Sequence, residues 1–126
     1  IAQAVEGAGA DSLSMINTVL AMAVDAEKRK AVLSTITAGL SGPAIKPIGL
    51  RCVYQASKAV KIPIIGLGGI TNATDAIEYI LAGASAIQIG TQNFVNPFVG
   101  KEVIEGMKEY LDRHNLKHIH EIKGVI

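Results

Sequence analysis

Cys52 is the only cysteine among 126 residues. A single thiol excludes an intrachain disulfide framework and fits a reducing compartment such as the cytoplasm. There is no excess of charge either: 12 Lys and Arg stand against 11 Asp and Glu. Nothing in that balance points to nucleic acid or to a charged membrane surface. No apolar run is long enough for a spanning helix, because Gly, Pro, Asn or a charge interrupts each one. The opening "IAQAVEGAGA" lacks a basic region followed by a continuous apolar core, so no secretory signal is visible. It reads instead as the last turns of a helix, with no initiator Met, and the expectation is a piece of a longer chain.

What is present is an alternation of short apolar runs and amphipathic segments. "LSMIN" (13–17), "IPIIGL" (62–67) and "GASAIQIG" (83–90) read as buried strands, placed near 12–17, 62–67 and 85–90. Between the first two, "VLAMAV" and "AVLSTIT" flank the charged turn "DAEKRK", the pattern of a hairpin excursion over 19–40. A Gly- and Pro-rich loop, "AGLSGPAIKP", then opens a helix in which Ile48, Val53, Ala56 and Val60 make one stripe. Thr71 or Asn72 caps the next helix, whose inner face is Ala73, Ala76, Ile77, Ile80 and Leu81. A last amphipathic helix turns Val103, Met107, Tyr110 and Leu111 inward, and the tail "NLKHIHEIKGVI" reads as peripheral. Strands this apolar belong to a parallel sheet covered by helices. An open doubly wound sheet is one option, but no GxGxxG follows the first strand. The other is the C-terminal part of a (β/α)8 barrel, which needs eight strands where this chain offers three. The expected organisation is one partial domain over 1–126, with the N-terminal portion of the barrel absent.

In such barrels chemistry gathers at the C-terminal ends of the strands, with a phosphate site after the last two. Here those ends read "GLGGI" and "IGTQNF". Gly68, Gly69 and Gly90 would offer backbone N–H groups with no Cβ in the way, and Thr91 would add an N–H and a hydroxyl. The alternative is that these glycines only make tight strand-to-helix turns. Ser41 and Gly42 precede a helix start and would add donors to the same anion. Asn17 and Thr18 close the first strand with a carboxamide and a hydroxyl, suited to a planar heterocycle carrying both C=O and N–H groups. Equally, Asn17 could cap a turn. Lys46 would approach a phosphate or face water, and "EKRK" would form a solvated tip or part of a lid. His114 and His118 have metal-compatible spacing but no third ligand, so surface histidines are expected.

The stretches "MINT", "GLSGPAIKP", "IPIIGLGGI", "LAGASAIQIGT" and "NFVNPF" together resemble the C-terminal part of class 1B dihydroorotate dehydrogenase, the catalytic subunit. The resemblance runs from Gly7 through the last amphipathic helix and implies a TIM barrel holding flavin mononucleotide (FMN) over its strand ends. It implies oxidation of dihydroorotate to orotate in pyrimidine biosynthesis, inside the cytoplasm and in an oligomer. Electrons would pass to a partner subunit carrying FAD and an iron–sulfur cluster, and finally to NAD⁺. By motif position, Ile16, Gly42, Gly68, Gly69, Gly90 and Thr91 would contact the flavin, and Asn17 and Thr18 the pyrimidine. The family's catalytic cysteine and a flavin-side lysine belong to a region outside these motifs; Cys52, inside the "KPIGLRCVYQ" helix, does not replace the former. A related dihydropyrimidine-type flavin enzyme would share the "INT" pair. A phosphate-binding aldolase, isomerase or non-catalytic barrel would share the glycine ends. "LSGPAIKP" with "GTQNFVNPF" favours the first reading.

Overall fold

The structure, a computed structural model, describes all 126 residues. Helix α1 (Ala2–Gly7) leads into strand β1 (Leu13–Met15). Four strands of an arm follow: β2 (Val19–Met22), β3 (Val24–Asp25), β4 (Lys30–Ala31) and β5 (Thr37–Leu40). A 3-10 turn at Pro43–Ile45 opens α2 (Lys46–Ser57), and then come β6 (Ile64–Leu67), α3 (Ala73–Leu81) and β7 (Ala86–Gln88). The short α4 (Gln92–Val95), the long α5 (Val99–Arg113) and a 3-10 turn at Ile119–Ile122 complete the chain.

β1, β6 and β7 pair in parallel, in that order, with Leu13 opposite Ile64 and Gly66 between Met15 and Ile87. The expected strands therefore lie where the apolar runs placed them, with helices on one side. Leu13 and Ile64 face that side and meet Val53 and Ala56 of α2, Ala76, Ile77 and Ile80 of α3, and Val99 and Val103 of α5. Burying each large aliphatic side chain there stabilises the fold by ~1.5–3 kcal/mol. The other face is less apolar than expected: Ser14, Ala86 and Gln88 are exposed, and the Ser14 hydroxyl donates to Gln88 Oε1 at 2.8 Å.

The charged turn does fold back on itself. β2 pairs antiparallel with β5, and β3 with β4, so 19–40 is a two-stage arm interrupted at 32–36. Its tip is tied by Lys28, whose backbone N–H donates to Asp25 Oδ1 at 3.0 Å. Of the two cap candidates for α3, Asn72 acts, accepting the Asp75 N–H at 3.0 Å. The tail is not peripheral. Ile122 is buried, Leu116 and Ile119 pack on the core, and the Gly124 N–H donates to the Ile80 carbonyl at 3.0 Å. Two apolar residues spaced three apart in a charged stretch, "HIHEI", carry too little periodicity to show this.

Tyr79 sets the spacing of the layers. It is fully buried, and its ring lies over β6, where a Cβ at Gly66 would come within 2.5 Å of Cδ1. Its hydroxyl donates to the Gly68 carbonyl at 2.8 Å and presses on Gly49 of α2, where any Cβ would collide with it. Burial raises its pKa to about 12, so the hydroxyl stays a donor. In the full-length protein, Gly49→Ala is expected to cost ~1–3 kcal/mol by overpacking. Tyr79→Phe removes the colliding oxygen, so the double variant should be more stable than the sum of the two single losses. Urea unfolding of the four proteins measures this, and strict additivity would show that the contact does not matter.

Candidate functional site

Four segments leave the sheet and the arm at one end and meet around a cleft. Ile16, Asn17 and Thr18 follow β1, Ser41 and Gly42 follow β5, Gly68 to Thr71 follow β6, and Gly90, Thr91 and Gln92 follow β7. All eight residues singled out from the sequence, Ile16, Asn17, Thr18, Gly42, Gly68, Gly69, Gly90 and Thr91, line it. The cleft encloses about 130 Å³. Ligand pockets run from about 300 to 1,000 Å³, so this chain builds one wall of a site rather than all of it.

No lining residue carries a charge. What the cleft offers is uncommitted backbone: the N–H groups of Gly42, Gly69, Gly90 and Thr91 have no acceptor within the chain. Donors of this kind on short loops suit an anion. At Gly42 and Gly90 a Cβ would meet nothing within 4 Å, so their missing side chains leave open space in the site.

The other glycines have different reasons to be there. Gly69 has φ +71, and a Cβ on it would lie 2.7 Å from the Gly42 carbonyl and 2.9 Å from Lys46 N. It is therefore required by the contact between the two loops. Gly66 answers to the Tyr79 ring and not to a ligand. The tight-turn reading of the glycine ends thus holds at Gly69, while Gly42 and Gly90 answer to no contact within the chain.

Asn17 has a structural contact of its own. Its Oδ1 accepts the Thr18 N–H at 2.7 Å, capping the turn, and both Asn17 and Thr18 remain exposed. That leaves the Asn17 amide nitrogen free as a donor. Thr18 is held by the arm, for its side chain fills the space a Cβ at Gly39 would take.

Lys46 neither reaches into the cleft nor faces water alone. Its ammonium pairs with Asp75 Oδ1 at 2.6 Å and Glu78 Oε2 at 2.7 Å, which raises its pKa. Burial pushes the Asp75 carboxyl up, but Lys46 and two donors from Thr71 outweigh it and hold it below the usual range. Asp75 and Tyr79 went unnoticed in the sequence because each looks like an ordinary residue of an amphipathic helix. The only available signal was Asp in the first turn after an Asn cap. Cys52 is half-buried beside Met15, away from the cleft. His118 caps the last 3-10 turn and His114 stacks on Tyr110 with ring centroids 4.3 Å apart.

A parallel sheet backed by helices, with glycine loops at the strand ends, is the arrangement of a sector of a (β/α)8 barrel. The comparisons agree and narrow it. The family model described as dihydroorotate dehydrogenase matches residues 1–111. The chain is 64% identical to "Dihydroorotate dehydrogenase B (NAD(+)), catalytic subunit" of Parabacteroides distasonis, over all of this chain and 41% of that protein. It is 61% identical to the protein of the same name in Desulforamulus reducens, over 98% of this chain and 41% of that one. Among solved structures, DHODH from Eimeria tenella in complex with ferulenol superposes with a TM-score of 0.81 at 28% identity, covering 99% of this chain and 33% of that chain. The chain belongs to the dihydroorotate dehydrogenase family, whose members use a flavin. It spans about two fifths of the length of the curated relatives it matches. No helix is long and apolar enough to cross a membrane.

The division of the glycines is open to measurement in the full-length protein. Gly69→Ala should lower stability by ~1–3 kcal/mol, because its methyl meets backbone at a left-handed position. Gly90→Ala should stay within about 0.5 kcal/mol, since its Cβ enters open space. Equal losses in thermal or urea unfolding would refute the division.

Proposed function

We propose that the complete protein oxidises dihydroorotate to orotate in pyrimidine biosynthesis, and that this chain is the C-terminal sector of its barrel. The observation that carries the reading is the set of unpaired N–H groups at Gly42, Gly69, Gly90 and Thr91 in one uncharged cleft. The cofactor is FMN. Its phosphate fits the donors, and the open sides of Gly42 and Gly90 leave room for close approach. Ile16 and Gly68 contact the rest of the flavin from the ends of β1 and β6. When bound, the flavin supplies the two-electron acceptor.

This chain's own residues bind and orient. Asn17 donates from its amide nitrogen to a pyrimidine carbonyl, while its oxygen stays with the Thr18 N–H and fixes the amide's direction. Thr18, whose hydroxyl lies over Gly39, is the second residue assigned to the pyrimidine. Neither side chain removes a proton from carbon at neutral pH, so the base comes from another part of the barrel. Cys52 is not that base, since it lies away from the cleft.

The name "catalytic subunit" carried by the relatives supports a partner subunit, here taken to carry FAD and an iron–sulfur cluster and to pass electrons to NAD⁺. An oligomer is supported by Leu20, Met22, Val24 and Ile36 of the arm, all more than half exposed. The lone thiol suits the cytoplasm.

Two substitutions in the full-length enzyme separate the roles. Asn17→Ala should cut dihydroorotate turnover by about fivefold to a hundredfold, at ~1–3 kcal/mol for a lost polar contact, while the flavin stays bound. Gly90→Val should instead empty the flavin site without unfolding the protein, read from the visible absorbance of the purified enzyme. Full flavin content in Gly90→Val, or unchanged turnover in Asn17→Ala, would contradict the assignment.

A further inference from the structure

We propose that Asp75 is a positioning residue for the flavin-phosphate cradle, pinning the loop after β6 to the start of α2 through Thr71 and Lys46. The proposal rests on the phosphate reading of the cleft. Asp75 is 6% exposed and is the one charged residue buried in the chain. Its Oδ2 accepts the Thr71 N–H at 2.8 Å and the Thr71 hydroxyl at 2.6 Å, and its Oδ1 accepts the Lys46 ammonium at 2.6 Å. Thr71 ends the loop that begins at Gly68 and Gly69, and Lys46 begins α2 four residues after Gly42. One carboxylate therefore ties together two of the three loops that carry the unpaired N–H groups, those of Gly42 and Gly69.

The chemistry requires a carboxylate at this point. Three donors converge on Asp75, and only an acceptor-only group serves all of them. An Asn would turn its own NH₂ toward either the ammonium or the Thr71 donors. Glu78 lies 2.7 Å from the same ammonium, so Lys46 is engaged by two carboxylates and has no positive charge to spare for the cleft. That occupation matters for the anion. With no charged residue in the lining, this chain holds phosphate by the placement of neutral N–H groups alone. Such a cradle depends on fixed geometry, because a dipole aimed away from the anion contributes little. The clamp supplies that geometry, and Gly69 shows how close it is: a Cβ there would lie 2.9 Å from both Lys46 N and Lys46 Cβ.

The test compares FMN with riboflavin, which lacks the phosphate, on the full-length apoprotein by fluorescence titration. Asp75→Asn should weaken FMN about tenfold or more, the scale of a lost charge-assisted contact, and leave riboflavin within about twofold. Lys46→Arg should keep most of the preference for FMN, since a guanidinium can still bridge the carboxylates. Thr71→Val, which removes one donor and keeps the ion pair, should fall between and carries the test should Asp75→Asn not fold. A parallel loss of both ligands would mean a purely structural role and overturn the proposal, as would an unchanged ratio. Wild-type protein that binds riboflavin as tightly as FMN would overturn the phosphate reading itself, and the clamp with it.

Discussion

A tyrosine lying in a slot of glycines organises this chain. Tyr79 comes from α3, its ring rests on Gly66 of β6, and its hydroxyl reaches Gly49 of α2 and the Gly68 carbonyl. Any Cβ at Gly49 or Gly66 would force the layers apart, so the separation of α2, β6 and α3 follows from this one side chain. The consequence reaches the cleft. By holding the Gly68 carbonyl, Tyr79 fixes the plane of the peptide that leads into Gly69, one of the uncommitted N–H groups.

Seen from that contact, the glycines of "IPIIGLGGI" have separate causes. Gly66 makes room for an aromatic ring, Gly69 makes room for the turn at Gly42 and Lys46, and only Gly42 and Gly90 leave their Cβ directions open to the site. The cleft is thus assembled by tight packing behind it and left uncluttered in front. Because its lining is uncharged, what it offers a ligand is unpaired peptide N–H dipoles. The arm joins the same design through Gly39, which seats Thr18 and keeps the Asn17 amide turned in one direction.

Much of this was legible in the sequence. Short apolar runs ending in glycine marked the three strands and the loops beyond them, and the charged turn at 25–30 between β-prone runs marked the arm. Seven of the eight candidate residues meet in one cleft because strand order in a parallel sheet brings successive strand ends together, and Gly42 joins them from the end of β5 in the arm. What stayed hidden depends on contacts distant along the chain. Tyr79 meets Gly49, thirty positions away, and Asp75 meets Lys46 across 29. Neither leaves a periodic signal. The docking of Ile122 was hidden for the same reason, being a single apolar residue in a charged tail. Lys46 shows the limit from the other side, since a lysine before proline at a helix start gives no hint that two carboxylates await it.

The most direct measurement is a crystal structure of the full-length protein with its flavin bound. The account places phosphate oxygens about 3 Å from the backbone nitrogens of Gly69, Gly90 and Thr91, with the Asp75–Lys46 pair intact behind them. A phosphate seated elsewhere in the barrel, with those N–H groups facing only water, would contradict it.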